Sequence, residues 1–132
     1  MVQTNIIVKI QIEGFHRWPL AAKLLPTVAF LSDRHRHIFH ITAKKQVNQA
    51  DREVEIIMFK REITAYLLKE YDFGNNGWCE FDSLSCEMIA EKLLKHFDLF
   101  YCSVTEDNEN GAETYKTNKI TNVGFNIGDI NL

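Results

Sequence analysis

Apolar and polar residues alternate from the start of the chain. Ile6, Val8, Ile10 and Ile12 fall on one side and Ile7, Lys9, Gln11 and Glu13 on the other, the period-two signature of a strand with one buried face. Gly14 then permits a bend or bulge before Phe15-His16-Arg17-Trp18. A loop with Pro19 and Pro26 leads into a second strand from His35 to about Gln46, closed by the polar turn Asn48-Gln49-Ala50-Asp51. At Phe59 the period changes: Phe59, Ile63, Tyr66, Leu67 and Glu70 recur at spacings of three and four among strong helix formers, and Gly74-Asn75-Asn76-Gly77 stops the helix. A second helix starts near Asp82-Ser83-Leu84-Ser85, whose short oxygen-bearing side chains can accept from the free N–H groups of a first turn. Its buried stripe is Cys86, Ile89, Ala90, Leu93 and Phe97. Phe100, Cys102, Val104 and Glu106 share the inward face of a third strand, and a turn through Asn108-Glu109-Asn110-Gly111 leads to a short fourth one from Ala112 to Lys116. The order predicts an α+β domain over residues 1–117: a four-stranded antiparallel sheet with two helices on one face. Residues 118–132, rich in Asn, Ile and Gly, are a tail or an extra edge strand.

Composition narrows the function. A length of 132 residues with 45% apolar positions suits a single core. No apolar run approaches the roughly 20 residues that cross a bilayer, and Met1-Val2-Gln3-Thr4-Asn5 lacks the basic head and apolar stretch of a signal peptide, so the expectation is a cytoplasmic protein with no membrane association. Cys79, Cys86 and Cys102 are odd in number and show no C-x-x-C spacing, which leaves neither a disulfide framework nor a zinc ribbon; Cys86 and Cys102 read as small core residues. A net charge of -3 disfavours a general nucleic-acid binder, which needs a basic surface to displace counterions. The basic residues are nonetheless grouped: Arg17, Arg34 and Arg36 stand beside His16, His35, His37 and His40, a local positive potential suited to a small anion.

The chemistry concentrates in Arg34-His35-Arg36-His37-Ile38-Phe39-His40-Ile41. On a strand, His35 and His37 share a face with Phe39 and Ile41, while Arg36, Ile38 and His40 share the other. Two imidazoles aimed at one spot are half of a metal site, because zinc takes at least three protein ligands and a catalytic zinc keeps a fourth position open. Glu106, a carboxylate at the end of an otherwise apolar face, is the second residue that a core does not explain.

Taken in order, the chain reads as a strand ending in Phe15-His16-Arg17, a strand opening with His35-Arg36-His37, two helices, and a strand ending in Val104-Thr105-Glu106. This pattern resembles the 6-pyruvoyl tetrahydropterin synthase and 6-carboxy-tetrahydropterin synthase family, of the tunnelling fold, over roughly residues 5–116. His16-Arg17 is similar to the family's first-strand histidine and His35-Arg36-His37 to its His-Gly-His, with Arg36 in the glycine's place. Ser85-Cys86-Glu87-Met88-Ile89-Ala90 is similar to its Thr-Ala-Glu-Asn-Leu-Ala, and Val104-Thr105-Glu106 to its Val-x-Glu, followed by Tyr115.

The resemblance implies that His16, His35 and His37 bind Zn2+, that Glu106 grips the amino group and adjacent ring nitrogen of a pterin or guanine-like base, and that Ser85 adds a hydroxyl contact. It implies a carbon-oxygen lyase acting on 7,8-dihydroneopterin triphosphate or a related pterin or deazaguanine precursor, with Arg17 and Arg36 on the phosphates. It also implies a homo-oligomer, commonly a hexamer built from trimers, with sites between subunits. The sequence departs from the family at its catalytic machinery. Where the family places a cysteine or glutamate before the His-x-His, this chain has Ala29, Phe30 and Leu31, none of which can act as base or nucleophile. The family's Asp-His relay between the helices has no counterpart in Asp72 to Asp82, which leaves Asp33 as the substitute proton acceptor. The alternative is a catalytically silent protein that keeps the zinc site and binds or sequesters a guanine-like or pterin-like nucleotide.

Overall fold

The computed structural model describes residues 1–117, so the expected tail or edge strand over residues 118–132 lies outside the described residues. The fold is α+β. Five strands form one sheet in the order β3-β1-β2-β4-β5: β1 Thr4–His16, β2 His35–Val47, β3 Cys79–Asp82, β4 Tyr101–Glu106 and β5 Gly111–Tyr115. The helices are α1 Ala21–Leu24, α2 Ile56–Tyr71 and α3 Cys86–Phe97, with a 3-10 helix at Pro26–Ser32. Two features correct the expectation of a four-stranded antiparallel sheet. β3 is an additional strand, and it runs parallel to β1, pairing with Gly14, Phe15 and His16, so the sheet is mixed. Cys79 and Phe81 are buried and alternate with Glu80 and Asp82, but the run is only four residues long and lies in a stretch that otherwise reads as loop and helix entrance. β1 does not stop at Gly14, in keeping with a strand that ends at Phe15-His16. It continues to His16 because β2 pairs with it as far as His16 opposite His35. Gly14 is there for room: a Cβ on it would stand 2.8 Å from the Phe81 ring and 2.9 Å from that of Phe39.

Long antiparallel pairing of β1 with β2 and of β2 with β4 carries the inward positions into one face. Val8, Ile10 and Ile12 of β1, Phe39, Ile41 and Ala43 of β2 and Cys102 and Val104 of β4 are buried in a single core with Phe59, Ile63 and Leu67 of α2 and Ile89, Ala90 and Leu93 of α3. α2 packs on β1 and β3, and α3 on β4 and β5. Each helix has its own start. Glu55 caps α2, its carboxylate accepting from Ile57 N–H and Met58 N–H; Ser85 caps α3, its hydroxyl accepting from Met88 N–H at 3.2 Å. α2 ends where Asp72 accepts from the N–H groups of Asn76 and Gly77, with Gly77 at φ +91°, a conformation that favours glycine. No helix among the described residues is long and apolar enough to cross a membrane.

Candidate metal centre

The site lies where the inward face runs out from under the helices. In the ladder of β1 with β2, Ile12 stands opposite Phe39, Gly14 opposite His37 and His16 opposite His35; on the far side of β2, Phe39 stands opposite Glu106. Alternation therefore sends His16, His35, His37 and Glu106 to the face that carries the core, just past its edge. The three imidazoles pack edge to face, with ring centroids 4.6 Å apart for His16 and His35, 5.5 Å for His16 and His37 and 5.2 Å for His35 and His37. One ring nitrogen from each lies within 4.8 Å of the other two, so the cluster could hold a metal ion.

The hydrogen bonds decide which nitrogen each ring offers. His16 Nδ1 is 2.9 Å from the Leu84 carbonyl, His35 Nδ1 is 2.8 Å from the Asp33 carbonyl, and His37 Nδ1 is 2.7 Å from Asp107 Oδ2. Carbonyls and carboxylates only accept, so each Nδ1 donates, and a neutral imidazole then carries its lone pair on Nε2. An oxygen behind each ring is the arrangement that fixes tautomer and orientation in metal-binding histidines. His16 Nε2 is buried and makes no hydrogen bond, although Glu106 Oε2 lies 2.9 Å away. With the proton of a neutral ring on Nδ1, that close approach brings an acceptor against a lone pair. Burial holds the His16 imidazolium below the ordinary histidine range, and His35 and His37 act in the same sense; the Leu84 carbonyl and Glu106 oppose them without prevailing. A neutral imidazole is the form that binds metal.

Around this cluster the surface is concave. A cleft of about 450 Å³ is lined by His16, His35 and Glu106 with Arg17, Ser85 and Trp18, and by the apolar Leu31, Leu84 and Met88. A second, of about 380 Å³, reaches Glu106 from the β4–β5 side along Ser85, Cys86 and Asn110. Ser85 lines both, and its capping bond uses an acceptor lone pair, which leaves the hydroxyl proton for a ligand.

The remaining sequence-identified residues divide. Arg17 lines the larger cleft and pairs with Asp82 at 3.2 Å. Arg36 points to the other face of β2, where its guanidinium meets Glu13, and it lines neither cleft over Glu106. Arg34 is held by both oxygens of Glu80 and lies over the Phe15 ring at 3.6 Å. The three arginines grouped in the sequence are thus each engaged by a carboxylate. Asp33 contributes its backbone carbonyl to His35, while its side chain is exposed and lines neither of these clefts.

Two residues stand in the site that the sequence left out. Asp107, directly after β4, accepts from His37 through Oδ2 and from Ile38 N–H through Oδ1 at 2.9 Å; the His37 bond first and the Ile38 bond second hold its carboxyl below the usual carboxylate range. Its signal was slight, since an Asp at a strand end reads as a turn residue, and it does adopt φ 55°. Cys86 is buried as expected, but its Sγ also lies 3.8 Å from Glu106 Oε2. Burial first, then Glu106, pushes this thiol up to about 12; burial does the same to Cys79 and Cys102, so none is a thiolate at neutral pH. Comparison of the sequence with models of known protein families and with curated protein sequences gave no match.

Proposed function

We propose that this chain is a zinc-dependent, pterin synthase-like protein of the tunnelling fold, acting on 7,8-dihydroneopterin triphosphate or a related pterin or deazaguanine precursor. The observation that carries the reading is the convergence of three histidines, each with an oxygen on Nδ1, two of which, His16 and His35, line a cleft of about 450 Å³. Three neutral nitrogens suit zinc among the common divalent ions, and a zinc so held supplies a Lewis acid for a hydroxyl or carbonyl oxygen on a substrate side chain. The size and mainly apolar lining of the cleft suit a flat heterocycle. Glu106 offers two acceptor oxygens to an amino group and its neighbouring ring N–H, Ser85 a hydroxyl, and Arg17 the charge nearest a phosphate. The antiparallel run β1-β2-β4-β5 with α2 and α3 supports the tunnelling-fold assignment. β5 has no partner along its outer edge among the described residues, and such an edge supports closure with further copies into a trimer-based homo-oligomer.

The second reading, a protein that binds such a nucleotide without turning it over, is favoured by what stands where the family keeps its proton-transferring residue. Leu31 lines the cleft in place of a proton-transferring side chain, and the Asp33 carboxylate does not line it. Incubation of the zinc-loaded protein with dihydroneopterin triphosphate, followed by mass spectrometry of both triphosphate release and retained ligand, separates the two. Turnover that disappears in His35→Ala supports the lyase; stoichiometric retention without product supports the binder. Absence of both retention and turnover rejects the pterin assignment.

A further inference from the structure

Glu106 has an unusual set of neighbours for a carboxylate at the edge of a core. Among the described residues its ion-pair partners are His16, with Nε2 2.9 Å from Oε2, and His37, with Nε2 3.5 Å from Oε1. No lysine or arginine among those residues neutralises it, and its one other polar contact is the Cys86 thiol at 3.8 Å. With Nδ1 of each neutral ring donating to an oxygen, both facing nitrogens carry lone pairs. A carboxylate pressed against two such lone pairs is repulsive unless a proton or a metal ion lies between them. Two ligands of one tetrahedral zinc, each about 2.0–2.1 Å from it, stand about 3.3 Å apart; His16 Nε2 to Oε2 at 2.9 Å and His37 Nε2 to Oε1 at 3.5 Å bracket this separation, one through each carboxylate oxygen. His16 Nε2, in a residue only 7% exposed, is the buried unpartnered atom that faces this point.

We propose that Glu106 is the fourth protein ligand of the metal held by His16, His35 and His37, closing the centre as a His3Glu site when no other ligand is bound. Cys86 acts as a positioning residue, its S–H donating to Oε2 and restricting how the carboxylate can turn. The consequence for recognition is a competition. A ring that takes both oxygens of Glu106 draws them off the metal and frees a coordination position, so ring binding and metal opening become one event. The proposal rests on the metal reading above, and its own content is the role of the carboxylate.

The test uses the full chain loaded with zinc or cobalt, with zinc affinity read by chelator competition and the coordination sphere read by the cobalt visible spectrum. The wild type is expected to bind one metal per chain with a spectrum unmoved by millimolar thiocyanate. Glu106→Gln, which keeps the side-chain volume, and Glu106→Ala should each lose at least about tenfold in zinc affinity, the lower end of what even an outer partner contributes. Their cobalt spectra should respond to thiocyanate, which enters the vacated position. Cys86→Ala should retain the affinity within a few-fold but admit thiocyanate more readily than the wild type. If Glu106→Gln keeps both wild-type affinity and a wild-type spectrum, the fourth-ligand role is overturned while the three-histidine centre stands. If the wild type takes up no metal, the metal reading itself falls, and the proposal with it.

Discussion

Along the inward face of β1 and β2, Val8, Ile10 and Ile12 lie opposite Ala43, Ile41 and Phe39 beneath the helices, whereas the same alternation carried further puts Gly14 opposite His37 and His16 opposite His35 beyond them. The strands, the face and the pairing are the same. What differs is the form of satisfaction each end requires. Under the helices any apolar side chain of suitable shape gains by leaving water, and no contact is directional. At the other end each side chain needs a named partner, because a buried polar atom without one is costly. Leu84, Asp33 and Asp107 supply hydrogen-bond partners for three Nδ1 atoms, and among the described residues His16 Nε2 is left buried without one. A packing end and a binding end therefore follow from one strand pair, separated by the Phe39 ring, which touches the edges of both His16 and His37.

Mutations should separate the two ends. The largest stability effect is expected at the packing end: Leu93→Ala, at a residue 1% exposed, should cost about 2–5 kcal/mol in urea unfolding. The folded fraction should still bind metal in a 1:1 ratio. His35→Ala should do the reverse. Zinc affinity is expected to fall by more than about 100-fold, beyond the 10- to 100-fold typical of an outer partner, with the unfolding midpoint of the metal-free protein nearly unchanged. Asp107→Asn, which keeps the shape but loses the charge behind His37, should weaken zinc by about 10- to 100-fold, read in the same chelator competition. A shared loss in any of these variants, stability together with affinity, would dissolve the distinction.

The smallest effect is one of pH on the metal-free protein. His16 titrates below its ordinary value of 6.5 in the fold, so below that pH the unfolded chain takes up a proton that the folded chain refuses. Stability from this residue is complete above about 6.5 and declines as pH falls toward the folded pKa. The urea midpoint should therefore drop between pH 7.5 and 5.5, and less so in His16→Asn.

How legible each end was in the sequence follows from the same contrast. Strands β1, β2 and β4 and helices α2 and α3 announce themselves through period, because each buries a continuous face; β3 alternates too, but over only Cys79–Asp82, a run short enough to pass for loop. Glu55 as the cap of α2 was not legible either, since short side chains are the usual caps. In the site, His35 and His37 follow from alternation alone. His16 stands nineteen positions before His35 and joins them only through the register of β1 with β2, so spacing could not recruit it. Asp107 and the Leu84 carbonyl are set by tertiary contact, the Asp33 carbonyl lies only two residues before His35, and backbone carbonyls leave no trace in residue identity. Arg36 shows the opposite case: alternation alone sends it away from the histidines, and Glu13 waits there.

The claim on which the account turns is that His16, His35 and His37 present Nε2 to one metal while Nδ1 holds a proton. Long-range proton–nitrogen NMR of the histidine rings, in metal-free and zinc-loaded protein, tests it directly. The account predicts Nδ1–H tautomers for all three rings before zinc, and a shift of all three Nε2 signals together at one equivalent. Nε2–H tautomers in the metal-free protein, or zinc that leaves those signals in place, would contradict it.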